Sequence, residues 1–435
     1  MGAQDTVAVI GAGVVGTAVA LALSREGNRV LLLDRADPGV AGASYGNVGH
    51  IAAELIEPLP SLALLFGFWR ERFSRGGALD IPPSRLWELT PWFTRFAAAA
   101  FHRHANTRHL EPLVRPARAA MQNWLGQIGR SDLLRQHGHY EIWLGSDASR
   151  RAARQANHMQ RLDVRTEPAA VDLLQRASIC AGGQTAAGRW FPNSGHVIDP
   201  LEIVRAFAAA AFERGARFIG TEVHAIEPHD AYIELTTSNG PIKVDKSVVC
   251  AGAWSAPLLE PLGLRVPLQS VRGYHIEIPG HAPLTEAPVL YANEHVLVTP
   301  MHGRLRASSY MEFLPPEAAP DFRKPARLRE QMRRLGYQCD PEGAGWVGSR
   351  PVLPDYLPGI GRIPQTKVFY AIGHQHIGLT IAPITAELIG DLVADRPARH
   401  DTAAFDLRRF GVPDRMPHLT RGSFHTRRSH ADHRN

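Results

Sequence analysis

Between Thr6 and Asp34 the apolar positions change period twice. Thr6–Ile10 (TVAVI) is an unbroken, β-branched run, the pattern of a strand covered on both faces, and a glycine ends it. From Val14 to Glu26 the spacing is helical: Val15, Ala18, Val19, Ala22 and Leu23 fall on one face. Gly27 and Asn28 tolerate positive φ and stop that helix. Arg29–Leu33 is a second buried run. Strand, glycine turn, helix and strand together predict a βαβ unit, with parallel strands and a right-handed crossover.

From about Pro58 to Gln175 the pattern changes. Helical spacing is expected over Leu62–Phe73, Thr90–Ala105 and Pro116–Ile128, followed by a strand at Tyr140–Leu144. After Gly195 the α/β pattern returns, with a helix at Pro200–Arg214, a strand at Arg217–Thr221, strand-like residues to Thr236 and a buried strand at Ser247–Ala251. Residues 266–312 alternate as antiparallel strands do. A helix at Leu328–Leu335, a strand at Phe369–Ile372 and a helix at Gly378–Val393 complete the reading, and the chain thins out after Arg396. No internal repeat is present.

Gly11-Ala12-Gly13-Val14-Val15-Gly16 sits between the first strand and helix. In this setting Gly11 permits the tight turn, Gly13 lets backbone N–H groups approach a pyrophosphate, and Gly16 lets helix and strand pack closely. The helix start, with the N–H groups of Val14 and Val15, favours an anion. Asp34 lies 18 residues after Gly16, where a carboxylate can accept from a ribose hydroxyl. A bare GxGxxG is weak evidence; with strand, helix and acid in place it predicts a bound ADP moiety. The βαβ pattern breaks off after the second strand and resumes only after Gly195, which suits FAD better than NAD. The small and amide residues Ser44, Asn47, Val48 and Gly49 then read as a loop following the pyrophosphate towards a flavin ring.

The 435 residues allow two or three domains. A composition of 44% hydrophobic and 21% charged residues excludes a disordered chain or a polytopic membrane protein. Cys180, Cys250 and Cys339 lie far apart, which argues against a disulfide framework or a cysteine-built zinc site and for a reducing compartment. No metal is expected. Arginine carries most of the net charge of +6, without the basic, aromatic-studded face of a nucleic-acid binder. Met1–Asp5 has no signal-peptide character. The run Leu59–Trp69 is too short to span a bilayer, and core packing is its default. The expected location is the cytoplasm, with peripheral contact to the inner membrane left open.

Five segments in order resemble the D-amino-acid oxidase superfamily of flavoproteins, and within it the bacterial D-amino-acid dehydrogenases. They are Val7–Arg35, the FAD entry; Ala43–Gly49 (ASYGNVG); Val248–Ser255 (VVCAGAWS); Trp346–Gly361 (WVGSRPVLPDYLPGIG); and Gly373–Pro383 (GHQHIGLTIAP). The GNVGHIAAE stretch and the Gly-His-x-His turn resemble dehydrogenases of D-hydroxyproline. The expected fold class is α/β. A discontinuous Rossmann-like FAD-binding domain (1–58, 195–265 and 345–395) interleaves with an α+β substrate domain (59–194 and 266–344) holding a mostly antiparallel sheet. A basic, poorly ordered tail (396–435) follows.

The resemblance implies that Arg350 holds the substrate carboxylate. Independently, the stiff turn made by Gly348 and Pro351 would present one guanidinium, whose planar fork suits a carboxylate; a surface ion pair is the plainer alternative. Arg35, Val223, Ala251, Gly252, Trp254, Gly373, His374, Gly378, Leu379 and Thr380 are expected at the cofactor, Val223 near the adenine and Gly373, Gly378, Leu379 and Thr380 before the final helix. Tyr274 is a candidate carboxylate donor, although core packing is the commoner fate of such a residue. Among the 21 histidines, His50 and His376 lie in flavin-facing segments and are candidate substrate contacts. No cysteine is placed to anchor the flavin, so FAD is expected to be non-covalent. The expected reaction is hydride transfer from Cα of a D-amino or cyclic imino acid, with a quinone, an electron-transfer protein or oxygen as acceptor. A glycine- or sarcosine-type oxidase and a non-catalytic flavin-binding subunit are the alternatives.

Overall fold

The computed structural model describes residues 5–340 and 343–411. The opening unit forms as its periodicity requires, with strand Thr6–Ile10, helix Val14–Arg25 and strand Arg29–Asp34. That helix is alanine- and valine-rich on nearly every side because two others cover it, Pro200–Phe212 and Gly378–Val393. Asp199 caps Pro200–Phe212 by accepting the Leu201 N–H at 2.9 Å, ahead of a proline at the first helical position.

The 6-stranded sheet runs Arg217–Gly220, Arg29–Asp34, Thr6–Ile10, Lys246–Val249, Val368–Ile372 and Gly359–Arg362. All are parallel except Gly359–Arg362. The strand order reverses between Thr6–Ile10 and Lys246–Val249, so the carboxyl ends of these strands open a crevice at the switch point.

The 9-stranded sheet starts at the edge with Gly345–Val352, then Gln269–Pro279, Arg304–Glu312 and Val296–Met301, and continues through His139–Leu144. It is antiparallel except where Val289–Tyr291 meets His139–Leu144 and Leu79–Asp80 meets Arg304–Glu312. The whole is an α/β fold in which a discontinuous Rossmann-like sheet interleaves with a second, mostly antiparallel domain. Strand Gly345–Val352 belongs to this second sheet. A small sheet of His50–Ile51, Gly195–Val197 and Leu134–Arg135 lies apart from both.

Helical structure in the middle of the chain differs from expectation. Leu62–Phe73 shortens to Leu62–Gly67, with no buried residue, and Phe66 and Trp69 are exposed rather than packed in a core. The stretch from Thr90 divides into Leu86–Phe101 and Arg103–Val114. Helices Ala148–Arg161 and Val171–Cys180 and strand Ala186–Phe191 were not expected. Past Arg396 the chain packs rather than frays: Phe405 and Leu407 are core residues, and Arg409 holds Asp355 at 2.6 Å. The rest of the basic tail, 412–435, lies outside the described residues. Among the described residues no helix is long and apolar enough to cross a membrane.

Candidate active site

The glycine turn is built by sterics. Gly11 has φ +107°, and a Cβ there would stand 2.7 Å from the carbonyl carbon of Cys250. Gly16 presses against the Gly11 carbonyl, so its task is helix–strand packing. The helix start at Val14 carries no acidic side chain in its first turn, leaving its positive end unneutralised. Ser44 Oγ accepts the Val14 N–H at 3.0 Å, which brings the 43–49 loop over the turn. Asp34 accepts the Ala12 N–H at 2.7 Å, bracing the turn while its carboxylate stays on the cavity wall.

A cavity of about 340 Å³ opens over this turn at the switch point. Gly11, Gly13, Val14, Val15, Asp34 and Arg35 line it, with Ser44 and Asn47 from the following loop. Val223, Ala251, Gly252 and Trp254 form a second wall, where the Arg35 guanidinium lies 4.6 Å over the Trp254 ring. Gly373, His374, Gly378 and Leu379 supply the third. Gly16, Val48, Gly49 and Thr380 are not on this wall. Gly49 instead accepts the Val197 N–H at 2.8 Å, and Thr380 Oγ1 accepts the Ala52 N–H at 3.2 Å. Both brace the small sheet. Gln375, Ser349 and Glu222 line the cavity without having been singled out in the sequence.

Arg350 lies one residue from this wall. Its guanidinium crosses Gly273 on the neighbouring strand and donates to the Tyr310 carbonyl at 3.0 Å. Among the described residues no carboxylate pairs with it. Burial lowers its pKa from the ordinary guanidinium range. The Gly373–Ile377 turn is tied to the same strand, because Gln375 N–H donates to the Pro351 carbonyl at 2.9 Å and Val352 bridges His374. His376 projects from that turn with an exposed side chain, although much of the protein surrounds it. Burial, then the neighbouring Arg350 and His50, push its pKa down to about 4, so its imidazole is neutral near pH 7. Burial pushes His374 down to about 3. The Tyr356 ring stands 6.3 Å from that of His376.

Tyr274 faces elsewhere. With side chains alternating along a strand, Gly273 faces Arg350 and Tyr274 takes the opposite face. Its hydroxyl donates to Glu312 at 2.8 Å and accepts from Arg272 at 3.2 Å and from the Asp321 N–H at 3.0 Å. Lys324 completes this buried network, holding Asp80 and Glu312 at 2.6 Å and Asp321 at 2.8 Å. A carboxylate donor role for Tyr274 is therefore replaced by a place in a charge network under the sheet.

His50 does not line the cofactor cavity; it meets Glu54 and His139 in a second buried group, near enough to His376 to lower the pKa of that residue. Nothing in the spacing of these three residues along the chain announces that meeting.

Residues 6–392 match the DAO family of FAD dependent oxidoreductases. The chain belongs to that family. Similar proteins include a D-amino-acid oxidase of Bradyrhizobium diazoefficiens, 27% identical over 93% of this chain and 98% of its own. A D-amino acid dehydrogenase of Paramagnetospirillum magneticum is 28% identical, with 93% of this chain and 98% of the relative covered. Among solved structures, glycine oxidase from Geobacillus kaustophilus superposes with a TM-score of 0.71 at 22% identity, over 93% of this chain and 99% of that one. L-proline dehydrogenase from P. horikoshii gives 0.69 at 18% identity, over 94% and 99%.

The cofactor of this DAO-family oxidoreductase is FAD, and the residues present fit it. A helix start with a glycine N-cap and no acidic residue in its first turn suits a pyrophosphate, and side-chain-free space at Gly13 leaves room for it beside Ser44, whose Oγ would lie 3.1 Å from a Cβ there. Asp34 would be at hand for the ribose, and the third wall, backed by the start of helix Gly378–Val393, would face the ring end.

Proposed function

We propose that this protein oxidises a D-amino or cyclic imino acid of the D-proline or D-hydroxyproline type to the corresponding imine. One observation carries the reading: Arg350 is a deeply placed cation without a carboxylate partner among the described residues, tied to the turn that closes the cofactor cavity. A planar guanidinium in that position pairs bidentately with an α-carboxylate and so orients Cα–H. FAD, when bound, supplies the acceptor for the hydride at N5 of its ring.

The substrate amine must be neutral before it can give an imine. The imidazole of His376, a weak base at about 4, is not suited to hold that proton. Desolvation and the field of Arg350 lower the amine's own pKa instead. The curated relatives named as D-amino-acid oxidase and dehydrogenases support the amino-acid class. The finer D-hydroxyproline assignment rests on the likeness of the GNVGHIAAE and Gly-His-x-His segments. FAD is held without a covalent bond. The cysteine on the cavity wall, Cys250, has its thiol pushed up by burial and is a poor nucleophile.

Anaerobic mixing of the holoenzyme with D-proline, D-hydroxyproline, D-alanine or sarcosine tests the proposal. Bleaching of the flavin's visible band is expected to be fastest with the two D-imino acids. Faster bleaching by sarcosine would favour the glycine-oxidase type of reaction, and no bleaching by any of the four would refute an amino-acid oxidoreductase. Comparing reoxidation by oxygen and by a quinone then separates oxidase from dehydrogenase.

A further inference from the structure

Near His376 lies a group of ligand-type side chains that the proposed reaction does not use. His50 opens the short strand His50–Ile51, Glu54 follows it, and His139 opens strand His139–Leu144 of the larger sheet. Nε2 of His50 is 3.5 Å from Glu54 Oε1, and Nδ1 of His139 is 3.6 Å from the same oxygen. The side chains are 8%, 6% and 4% exposed in the order His50, Glu54, His139. Each residue offers one ligand atom, and these lie within 4.8 Å of one another.

These separations are too long for N–H···O hydrogen bonds, and among the described residues neither ring nitrogen has a hydrogen-bond partner. Two orphaned buried nitrogens around one carboxylate oxygen are costly unless something sits between them. Two bonds of about 2.0–2.1 Å at a tetrahedral angle set their ligand atoms about 3.4 Å apart, close to the observed spacing. The other Glu54 oxygen accepts the Ser194 hydroxyl, which turns Oε1 towards the imidazoles, as second partners do around bound metals. Among the described residues no lysine or arginine pairs with Glu54. The acidic group Asp80, Glu312 and Asp321 contrasts with it, since the ammonium of Lys324 already occupies its centre.

We propose that His50, Glu54 and His139 bind one divalent ion of the zinc class. Two imidazoles and a carboxylate suit zinc and leave a fourth position for water or a substrate group. The ion would fasten the small sheet carrying His50 to the substrate sheet carrying His139. It stands on these residues alone, whatever the amino-acid substrate proves to be.

The test is the metal content of the FAD-loaded enzyme. Grown with added zinc and dialysed against metal-free buffer, it is expected to retain about one equivalent per chain by plasma mass spectrometry. Cobalt titrated into the chelator-stripped enzyme is expected to give ligand-field bands to the red of the flavin, saturating at about one equivalent. Glu54→Gln and His139→Gln should each retain less than about a tenth of that zinc, and Ser194→Ala should weaken cobalt binding about 10- to 100-fold. The titration of the unmodified enzyme needs no variant to fold. An unmodified enzyme that holds no zinc and gives no cobalt bands overturns the proposal, as does full zinc content in both the Glu54 and His139 variants.

Discussion

Replacing Gly273 by alanine separates where Arg350 sits from whether it is present. A Cβ at position 273 would stand 2.5 Å from Arg350 Nη1, whereas unstrained contact begins at about 3.5 Å. Nη2 and Cζ stand nearer still, but all three obstructing atoms form the end of a flexible side chain and Gly273 is not among the glycines with positive φ, so the strand accepts the methyl group and the guanidinium retreats by at least about 1 Å. A displacement of that size at a positioning group costs about 100-fold in kcat/KM, or about 2.7 kcal/mol. Removing the guanidinium altogether, as Arg350→Ala, deletes two charge-assisted bonds and should cost about 3–6 kcal/mol. Steady-state kinetics with the best D-imino acid, alongside thermal melting, makes the measurement. Gly273→Ala is expected to melt no lower than the parent, because alanine restricts the unfolded chain more than glycine does. Efficiency within about threefold of the parent in Gly273→Ala and in Arg350→Ala alike would remove Arg350 from the substrate site.

Other expectations follow from the same geometry. Gly13→Val fills the space reserved for the pyrophosphate beside Ser44 and should purify colourless; a yellow preparation with a full flavin complement would contradict that placement. Lys324→Met leaves Asp80, Glu312 and Asp321 facing one another without their ammonium and should cost about 3–5 kcal/mol in urea unfolding, with a loss below about 1 kcal/mol as the contrary result. Burial pushes His275 down to about 4 and His374 to about 3. The unfolded chain binds these protons near pH 6.5, while the folded chain refuses them until its lowered values are reached. The unfolded state therefore holds more protons from about pH 6.5 down to about 4, and stability falls with pH there by up to about 1.4 kcal/mol per unit for each imidazole. Urea midpoints that stay level from about pH 7 to 5 would show that these imidazoles titrate normally in the folded protein.

The nucleotide-binding half was legible because its signals are local. Gly11, Gly13, Gly16 and Asp34 act within one βαβ unit, where period and spacing settle the geometry. The substrate half was read less well. Its strands pair across long stretches of chain, and whether Tyr274 or Gly273 faces Arg350 depends on a register no local pattern reveals. His139 carried no signal at all, since its partners His50 and Glu54 reach it only through the pairing of distant strands. Apolar content misled in part at Leu62–Gly67, where Leu64 and Leu65 pack half-buried against the core but Leu62 and Phe66 are exposed. Beyond Arg396, polar composition hid Phe405 and Leu407, which are enough to dock the segment.

The cofactor cavity draws its walls from opposite ends of the chain, Gly11–Val15 at one and Gly373–Leu379 at the other. A ribosome adding about 5–20 residues per second delivers the second wall about 20–70 s after the first. Until residue 249 is made, strand Thr6–Ile10 lacks its partner Lys246–Val249, and that strand in turn lacks Val368–Ile372 until residue 372 is made, so the growing sheet presents a bare apolar edge for the whole interval. Flavin capture is therefore a late event in the protein's life, and prematurely terminated chains are clients for chaperones or seeds for aggregates rather than partly active enzymes.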